Sequence, residues 1–175
     1  MGRLVLILGG ARSGKSAMAE RMAGQMGGRV TYLATAQPLD EEMGRRIERH
    51  RAARPAAWRT LEEPLELATA VERAVAESDV VLVDCLTLWV SNHLCRIDAP
   101  ESGPEWQPAL DGLAKRLDGE LSQLLGGVRS SGATVLLVSN EVGLGLVPSN
   151  PLGRAYRDLL GMVNRRIAEE ADQVL

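Results

Sequence analysis

Residues 4–16, LVLILGGARSGKS, constrain this chain more than any other segment. The unbroken apolar run fits a strand buried on both faces. It leads directly into G-x-x-x-x-G-K-S, from Gly9 to Ser16, and then into a helical pattern. That strand, glycine loop and helix together are the context a phosphate-binding loop (P-loop) requires. Gly9, Gly10, Ala11, Arg12, Ser13 and Gly14 let backbone N–H groups curl around phosphate oxygens, and the helix N-terminus adds the positive end of its dipole. Lys15 reaches the β- and γ-phosphates as a point charge, and Ser16 offers its hydroxyl to Mg2+. Eighteen of the 20 cationic side chains are arginine, so Lys15 is not just another basic residue.

The rest of the chain alternates in the same manner. RLVLIL (3–8), RVTYLAT (29–35), DVVLVDC (79–85) and ATVLLVSN (133–140) read as buried strands, with helices near 15–26, 40–53, 64–77, 86–95, 109–130 and 152–171. This predicts an α/β P-loop NTPase (RecA-like) three-layer fold, a mostly parallel sheet flanked by helices, in a single domain over 1–175. DAPESGPEWQP (98–108), with its three prolines, reads as a surface excursion. The closing ADQVL reads as the start of a further strand, either curtailed or very short. DVVLVDC carries Asp84 to the carboxyl end of a strand, where parallel sheets present ligands, so this acid is expected beside the P-loop. There it would hold Mg2+ directly or through water, as a Walker-B acid does. Capping the following helix is the alternative role. These two motifs specify a nucleoside-triphosphate site but not a reaction.

Composition narrows the reaction. The net charge is −3, whereas a general nucleic-acid binder has a broad basic excess. No guanine-reading N-K-x-D occurs, and Asp84 is followed by Cys-Leu-Thr where a signalling GTPase carries its D-x-x-G switch. Aromatic residues are 3% of the chain, too few for the DNA surface of a RecA-like motor. Cys85 and Cys95 form no C-x-x-C pair and only His50 and His93 accompany them, so reduced thiols in a cytoplasmic protein are expected rather than structural zinc. No segment approaches the roughly 20 apolar residues that span a bilayer, and the apolar N-terminus is too short for a signal peptide. A small-molecule kinase remains.

RRIERHRAARP (45–55) holds five arginines and one of the two histidines. On a helix over 40–54, Met43, Ile47, His50 and Arg54 share one face, with Arg51 near it. Arg45, Arg46 and Arg49 read as surface charge. His50 is then either a satisfied core histidine or a reactive imidazole flanked by cations. Packing Arg51 and Arg54 beside it is costly unless an anion such as nucleotide phosphate neutralises them.

GGARSGKS, YLATA, RIERHRAARPAAWRTLEEP, DCLTLWVSN and SNEVGLGLVPSNPLGRAYRDLLGMVNRRIAEEAD occur in that order over nearly the whole chain. In this the chain resembles the bifunctional adenosylcobinamide kinase/adenosylcobinamide-phosphate guanylyltransferases of cobalamin biosynthesis. The P-loop is shared by many proteins; the histidine and NEVGLGLVP segments carry the specificity. The resemblance implies phosphorylation of the aminopropanol hydroxyl of adenosylcobinamide by ATP or GTP. It then implies transfer of GMP from GTP to adenosylcobinamide phosphate, giving adenosylcobinamide-GDP and pyrophosphate through a guanylylated histidine. By motif position that histidine is His50, with Lys15 and Asp84 completing the catalytic set. Neutral imidazole is an available nucleophile near neutral pH, and its phosphoramidate is reactive enough to pass GMP onward.

The nucleotide-binding positions carried over are Gly9 to Ser16, Ala34, Thr35, Ala36, Arg51, Ala52, Ala53, Arg54, Glu62 and Asp84, with Ser16 and Asp84 directed to Mg2+. Glu62 either reads the N1 and N2 edge of guanine or is a surface acid before Pro64. Thr35 either turns its hydroxyl to phosphate or serves the strand end. Asn140 and Glu141 are polar candidates near the corrinoid. Arg154 and Arg157 either touch phosphate or corrinoid amides or lie on a helix surface. Asp84 stands where some members have Glu, with a shorter reach to the same metal. His93 lies outside the motif and is expected to pack on its helix. The resemblance also implies a homotrimer. A single P-loop must serve attack at both the γ- and the α-phosphorus, so either the 40–54 helix moves or the triphosphate shifts between steps. Two other readings stay open: a P-loop small-molecule kinase without guanylyl transfer, and a non-catalytic nucleotide-binding module.

Overall fold

Six strands and six helices form in the computed structural model, which describes residues 1–101 and 103–175; the side chains of Arg46 and Ala53 also lie outside the described set. In chain order they are β1 (Arg3–Gly9), α1 (Lys15–Met26), β2 (Val30–Ala34), α2 (Glu41–Ala53), β3 (Arg59–Glu62) and α3 (Leu67–Glu77). The second half adds β4 (Val80–Asp84), α4 (Leu86–Leu94), α5 (Trp106–Ser130), β5 (Thr134–Asn140), α6 (Pro151–Ala168) and β6 (Gln173–Val174). Every strand pair is parallel, in the order β3-β2-β4-β5-β1-β6. The expected three-layer α/β arrangement is therefore present, and its sheet is wholly parallel.

Continuous apolar strands bury both faces, and each face takes its own helices. On one, Ala19 and Ala23 of α1 pack against Val5, Ile7, Tyr32, Leu82 and Val138. Small side chains on α1 let the helix lie close to the strands. The opposite face is thicker: α3, α4, α5 and α6 bring Val71, Trp89, Leu121 and Leu160 onto Leu6, Leu33, Val83 and Leu137. With no Phe in the chain, Leu and the fully buried Trp89 supply most of the volume here. Trp89 also donates its indole N–H to Leu65 O at 2.7 Å, so its burial strands no polar atom.

Register sets the site. Ala34 stands opposite both Glu62 and Asp84, Asp84 opposite Val138, and Gly9 opposite Asn140. Five strands thus end together, at one edge.

The sequence pattern misses β3, and physics explains why. RTLE is only four residues with exposed ends, and it becomes a strand by adding to the edge of β2. Two-residue β6 pairs with Val5 and Leu6 of β1, so the strand expected to start in ADQVL does form, over Gln173–Val174. Helix α5 starts at Trp106, three residues before the apolar periodicity suggests, because Pro108 falls in a first turn where its missing N–H costs nothing. Helix α3 starts at Leu67 instead of 64, since Glu63 Oε1 accepts from the backbone N–H of Leu65 and Glu66 at 2.9 and 3.0 Å and holds a turn there.

On α5, facing His93 of α4, stands a half-buried acid, Glu120, whose side chain is 16% exposed. Burial first, and the neighbouring Glu66 second, push its carboxyl up to about 7. One of its oxygens has no partner, and the other is 3.8 Å from His93 Nε2. Burial also lowers His93 below its usual range, so near neutrality the pair is closer to acid and neutral imidazole than to an ion pair. The folded chain holds a proton that the unfolded chain releases near 4.5. The stability tied to that proton is complete below 4.5 and is lost as pH climbs through about 7. Glu120→Gln should flatten the melting temperature between these limits and exceed the parent at pH 8 by about 2–4 °C. Melting curves over this pH range check it, and an unchanged slope would refute the elevated acid.

Candidate active site

The loop after β1 is shaped for an anion. Gly14 takes φ 92°, a left-handed conformation at the N-terminus of α1 that favours glycine, and nothing lies within 4 Å of where a Cβ would stand. Lys15 Nζ donates to Gly10 O and lies 3.4 Å from Ser13 Oγ, so the ammonium curls back over its own loop. Partial burial lowers its pKa, while the Cys85 thiol and the Asp84 carboxylate oppose that. The P-loop faces a cavity of about 340 Å3 lined also by His50, Asp84, Val138 and Asn140.

Asp84 is not next to the P-loop strand. β5 stands between β4 and β1, and α1 crosses over both, which swings Ser16 to the acid. Ser16, His50 and Asp84 line the P-loop cavity and also a second, adjoining one with Tyr32, Ala36 and Arg54. The helix-capping alternative for Asp84 does not hold: Cys85 is the N-cap of α4, and no side chain caps it. Asp84 Oδ2 instead accepts from the Tyr32 hydroxyl at 2.7 Å. Among the described residues no group of three or more His, Cys, Asp or Glu forms a metal cage. One carboxylate and one hydroxyl beside a phosphate cavity is the sparse oxygen set that Mg2+ uses with a nucleotide, so Ser16 and Asp84 fit that ion.

Helix α2 brings in the histidine. Asp40 caps it, accepting from Met43 N at 2.7 Å, worth about 1 kcal/mol. Glu41 and Glu42 in its first turn and His50 and Arg51 in its last suit the helix dipole. Met43, Ile47, His50 and Arg54 all line the second cavity, as the helical wheel requires. None of the described residues of α2 is buried, so the helix leans on the cavity without entering the core. The Arg54 guanidinium lies 3.5 Å above the Tyr32 ring, a contact worth about 1–2 kcal/mol when desolvated. Its Nε is buried without a partner.

The other expected residues fall into three groups. Ala34 and Ala36 line the second cavity, where their small side chains leave it open. Arg51 and Glu62 meet each other at 3.6 Å on the surface, both more than half exposed, an exposed pair worth at most about 1 kcal/mol. Glu62 ends β3 beside Ala34, at the same sheet edge as Asp84, and Ala52 is exposed. The Ala53 side chain is outside the described set.

Thr35 needs correction. It is fully buried, and its hydroxyl donates to Cys85 O at 2.7 Å and accepts from Cys85 N at 2.8 Å. That hydroxyl ties β2 to β4 and does not face phosphate. Asn92 extends the tie by donating to Thr35 O and Pro64 O at 2.8 and 3.0 Å. His93 packs edge-on against Trp89, 5.4 Å between ring centres, as expected of a residue outside the site.

Beyond β5, Asn140 lines the P-loop cavity while its backbone is held by Thr87 and Asn164. Glu141 accepts from Gly143 N, and Arg154 donates to Pro148 O and Ser149 O at 3.0 and 2.8 Å. Arg154 therefore braces the loop, and Arg157 pairs with Asp158 at 3.2 Å.

Two site residues escape motif reading. Tyr32 is buried, yet its alternation with Val30 and Ala34 places it under α1, where a phenol needs an acceptor. Glu20, one turn beyond Ser16, is half-buried. Burial and Asp84 raise its carboxyl, whereas His50 and Arg54 lower it.

Comparisons with known proteins agree with this geometry. A family model described as "Cobinamide kinase / cobinamide phosphate guanyltransferase" matches residues 5–175. The bifunctional adenosylcobalamin biosynthesis protein CobP of Pseudomonas aeruginosa is 49% identical over 97% of this chain and 89% of its own length. The proteins named CobU from Salmonella typhimurium and Escherichia coli are 41% and 39% identical, each over 98% of this chain and 93% of its own. A P-loop, a strand-end acid and a histidine helix meeting at one sheet edge, matched over nearly the full length, place this chain in the cobinamide kinase/cobinamide phosphate guanyltransferase family.

Proposed function

We propose that this chain phosphorylates the aminopropanol hydroxyl of adenosylcobinamide with ATP or GTP and then passes GMP from GTP, through His50, to the phosphate it has made. The observation that carries this reading is that His50 shares both cavities with Ser16 and Asp84, and one of them with the P-loop from Ala11 to Ser16. A guanylylated intermediate needs a nucleophilic side chain beside the triphosphate, and the imidazole of His50 supplies one there.

In the first step the substrate hydroxyl attacks the γ-phosphorus, the bond to the β-phosphate oxygen breaks, and the hydroxyl proton leaves to solvent or a nearby base. Lys15 and the P-loop amides hold the triphosphate and receive the charge that develops on its oxygens. In the second step an imidazole nitrogen attacks the α-phosphorus of GTP and expels pyrophosphate. The substrate phosphate then attacks the phosphoramidate, breaking the P–N bond and returning His50. Mg2+, held by Ser16 and Asp84, would neutralise phosphate charge in both steps. Arg51 and Arg54 serve as the phosphate cations of α2, and Glu62 has the position and exposure to read guanine after parting from Arg51.

The two attacks expose different phosphorus atoms, so α2 moves or the triphosphate shifts between them. The surface placement of α2, with its own caps at both ends, favours helix movement. Leu144, Leu146 and Val147, in the loop after β5, are 94%, 98% and 64% exposed at the same sheet edge. This apolar surface suits the face of a large corrinoid, with Asn140 and Glu141 below it. By likeness to the family the protein works as a cytoplasmic homotrimer, and no helix among the described residues is long and apolar enough to cross a membrane.

GTP labelled on its α-phosphate should leave acid-labile, base-stable label on the chain. His50→Ala should abolish it while keeping the kinase step, whereas Lys15→Ala should depress both activities by about 100-fold or more. Unlabelled, GTP-saturated parent protein would sink guanylyl transfer. Leu144→Ser/Leu146→Ser should raise the KM for adenosylcobinamide by about 10-fold and leave labelling of His50 intact, two buried apolar contacts being worth at least that much. Equal loss in both assays would place the loop elsewhere in the mechanism.

A further inference from the structure

Tyr32 touches both halves of the site. Its hydroxyl donates to Asp84 Oδ2 at 2.7 Å, and its ring carries the Arg54 guanidinium at 3.5 Å. The side chain is rigid in both directions, for the residue is 2% exposed and packed between α1 and the sheet. Arg54 lies one helical turn beyond His50 on the face that lines the cavity, so the stack fixes the end of α2 that carries the nucleophile. Beyond it, Arg54 Nη1 reaches Thr60 Oγ1 at 3.5 Å, a long contact that leaves the ring as its principal seat.

We infer that Tyr32 is a positioning residue that sets the acid of the metal site and the cation beside the nucleophile relative to each other. One phenol does this because its two ends bind by different physics. The hydroxyl restricts Asp84 to a single rotamer and leaves Oδ1 for the ion, and the π-face takes the cation without consuming its N–H donors. A phenol is protonated near neutrality, so the hydroxyl serves as an O–H donor to the carboxylate. Arg54 keeps its guanidinium N–H groups for phosphate while its position is held from below. The link also gives α2 a defined resting place, although none of its described residues is buried. Tyr32 touches no reacting atom in this arrangement and acts through Asp84 and Arg54. The inference rests on the proposed role of His50, and its test has an arm that does not.

Tyr32→Phe keeps the ring and deletes one oxygen. Binding of Mn2+ with a non-hydrolysable GTP analogue, followed by electron paramagnetic resonance, should weaken about 10-fold, the loss of one hydrogen bond to a charged group. The Mg2+ concentration for half-maximal rate should rise similarly in both steps. GMP loading of His50 at saturating Mg2+ should stay within about 2-fold, because the stack persists. At saturating Mg2+, Tyr32→Leu should slow loading by about 10-fold in the parent but change it little in an Arg54→Met background, where the stacked contact it removes is already gone. The kinase step of Tyr32→Leu should fall no further than that of Tyr32→Phe. Unchanged Mn2+ affinity in folded Tyr32→Phe overturns the inference, as do fully additive losses in the double variant. Should Tyr32→Leu fail to fold, the Mn2+ arm on Tyr32→Phe decides alone. A parent chain that takes no GMP would remove the proposed function and still leave the Tyr32–Asp84 link open to that arm.

Discussion

Burial of a parallel sheet on both faces is the constraint on which the rest depends. Strands sealed by α1 on one side and by α3 to α6 on the other can carry polar chemistry only at their ends. The register then brings Gly9, Ala34, Glu62, Asp84 and Asn140 to one edge, although they lie on five different strands. β5, intervening between the P-loop strand and the acid strand, widens the gap, and α1 closes it by crossing over the sheet. The triphosphate cavity is the space left along that edge.

Along the edge the site divides into a fixed part and a lighter one. The P-loop, Asp84 and the Thr35–Cys85–Asn92 ties are backed by core on both sides. Helix α2 has caps, a favourable charge order and an apolar stripe, but no described residue in the core. On the proposed mechanism, a group that would meet the α-phosphorus in one step and stand aside in another is best carried on the lighter part. Local stability argues the same way, since elements with few buried contacts are the ones that shift at low cost. Tyr32 joins the two parts, its hydroxyl donating to Asp84 on the fixed side and its ring carrying Arg54 at the end of the lighter one.

Much of this is written locally in the chain. G-x-x-x-x-G-K-S after an apolar run yields the P-loop because every contact it needs lies within eight residues. Asp84 follows from the end of an apolar strand, and the inward face of His50 and Arg54 from helical spacing. β3 escapes because four mixed residues acquire strand geometry only from the edge they join. Thr35 is ambiguous in sequence because a strand-end hydroxyl serves phosphate or backbone equally well, and only the approach of Cys85, fifty residues later, decides for backbone. Tyr32 and Glu20 carry no motif, and their meaning comes from Asp84, fifty-two and sixty-four positions away.

By itself, then, the sequence determined the alternating α/β class, the triphosphate loop, the strand-end acid and the face of the helix that bears His50. These depend on periodicity and on contacts between near neighbours, which a linear chain displays. Tertiary structure alone decided that Arg51 and Glu62 meet, that Thr35 is a tie, and that one phenol joins Asp84 to Arg54. Such pairings arise from strand order and register, and these are chosen by the packing of the whole sheet between its helices, not by any one segment.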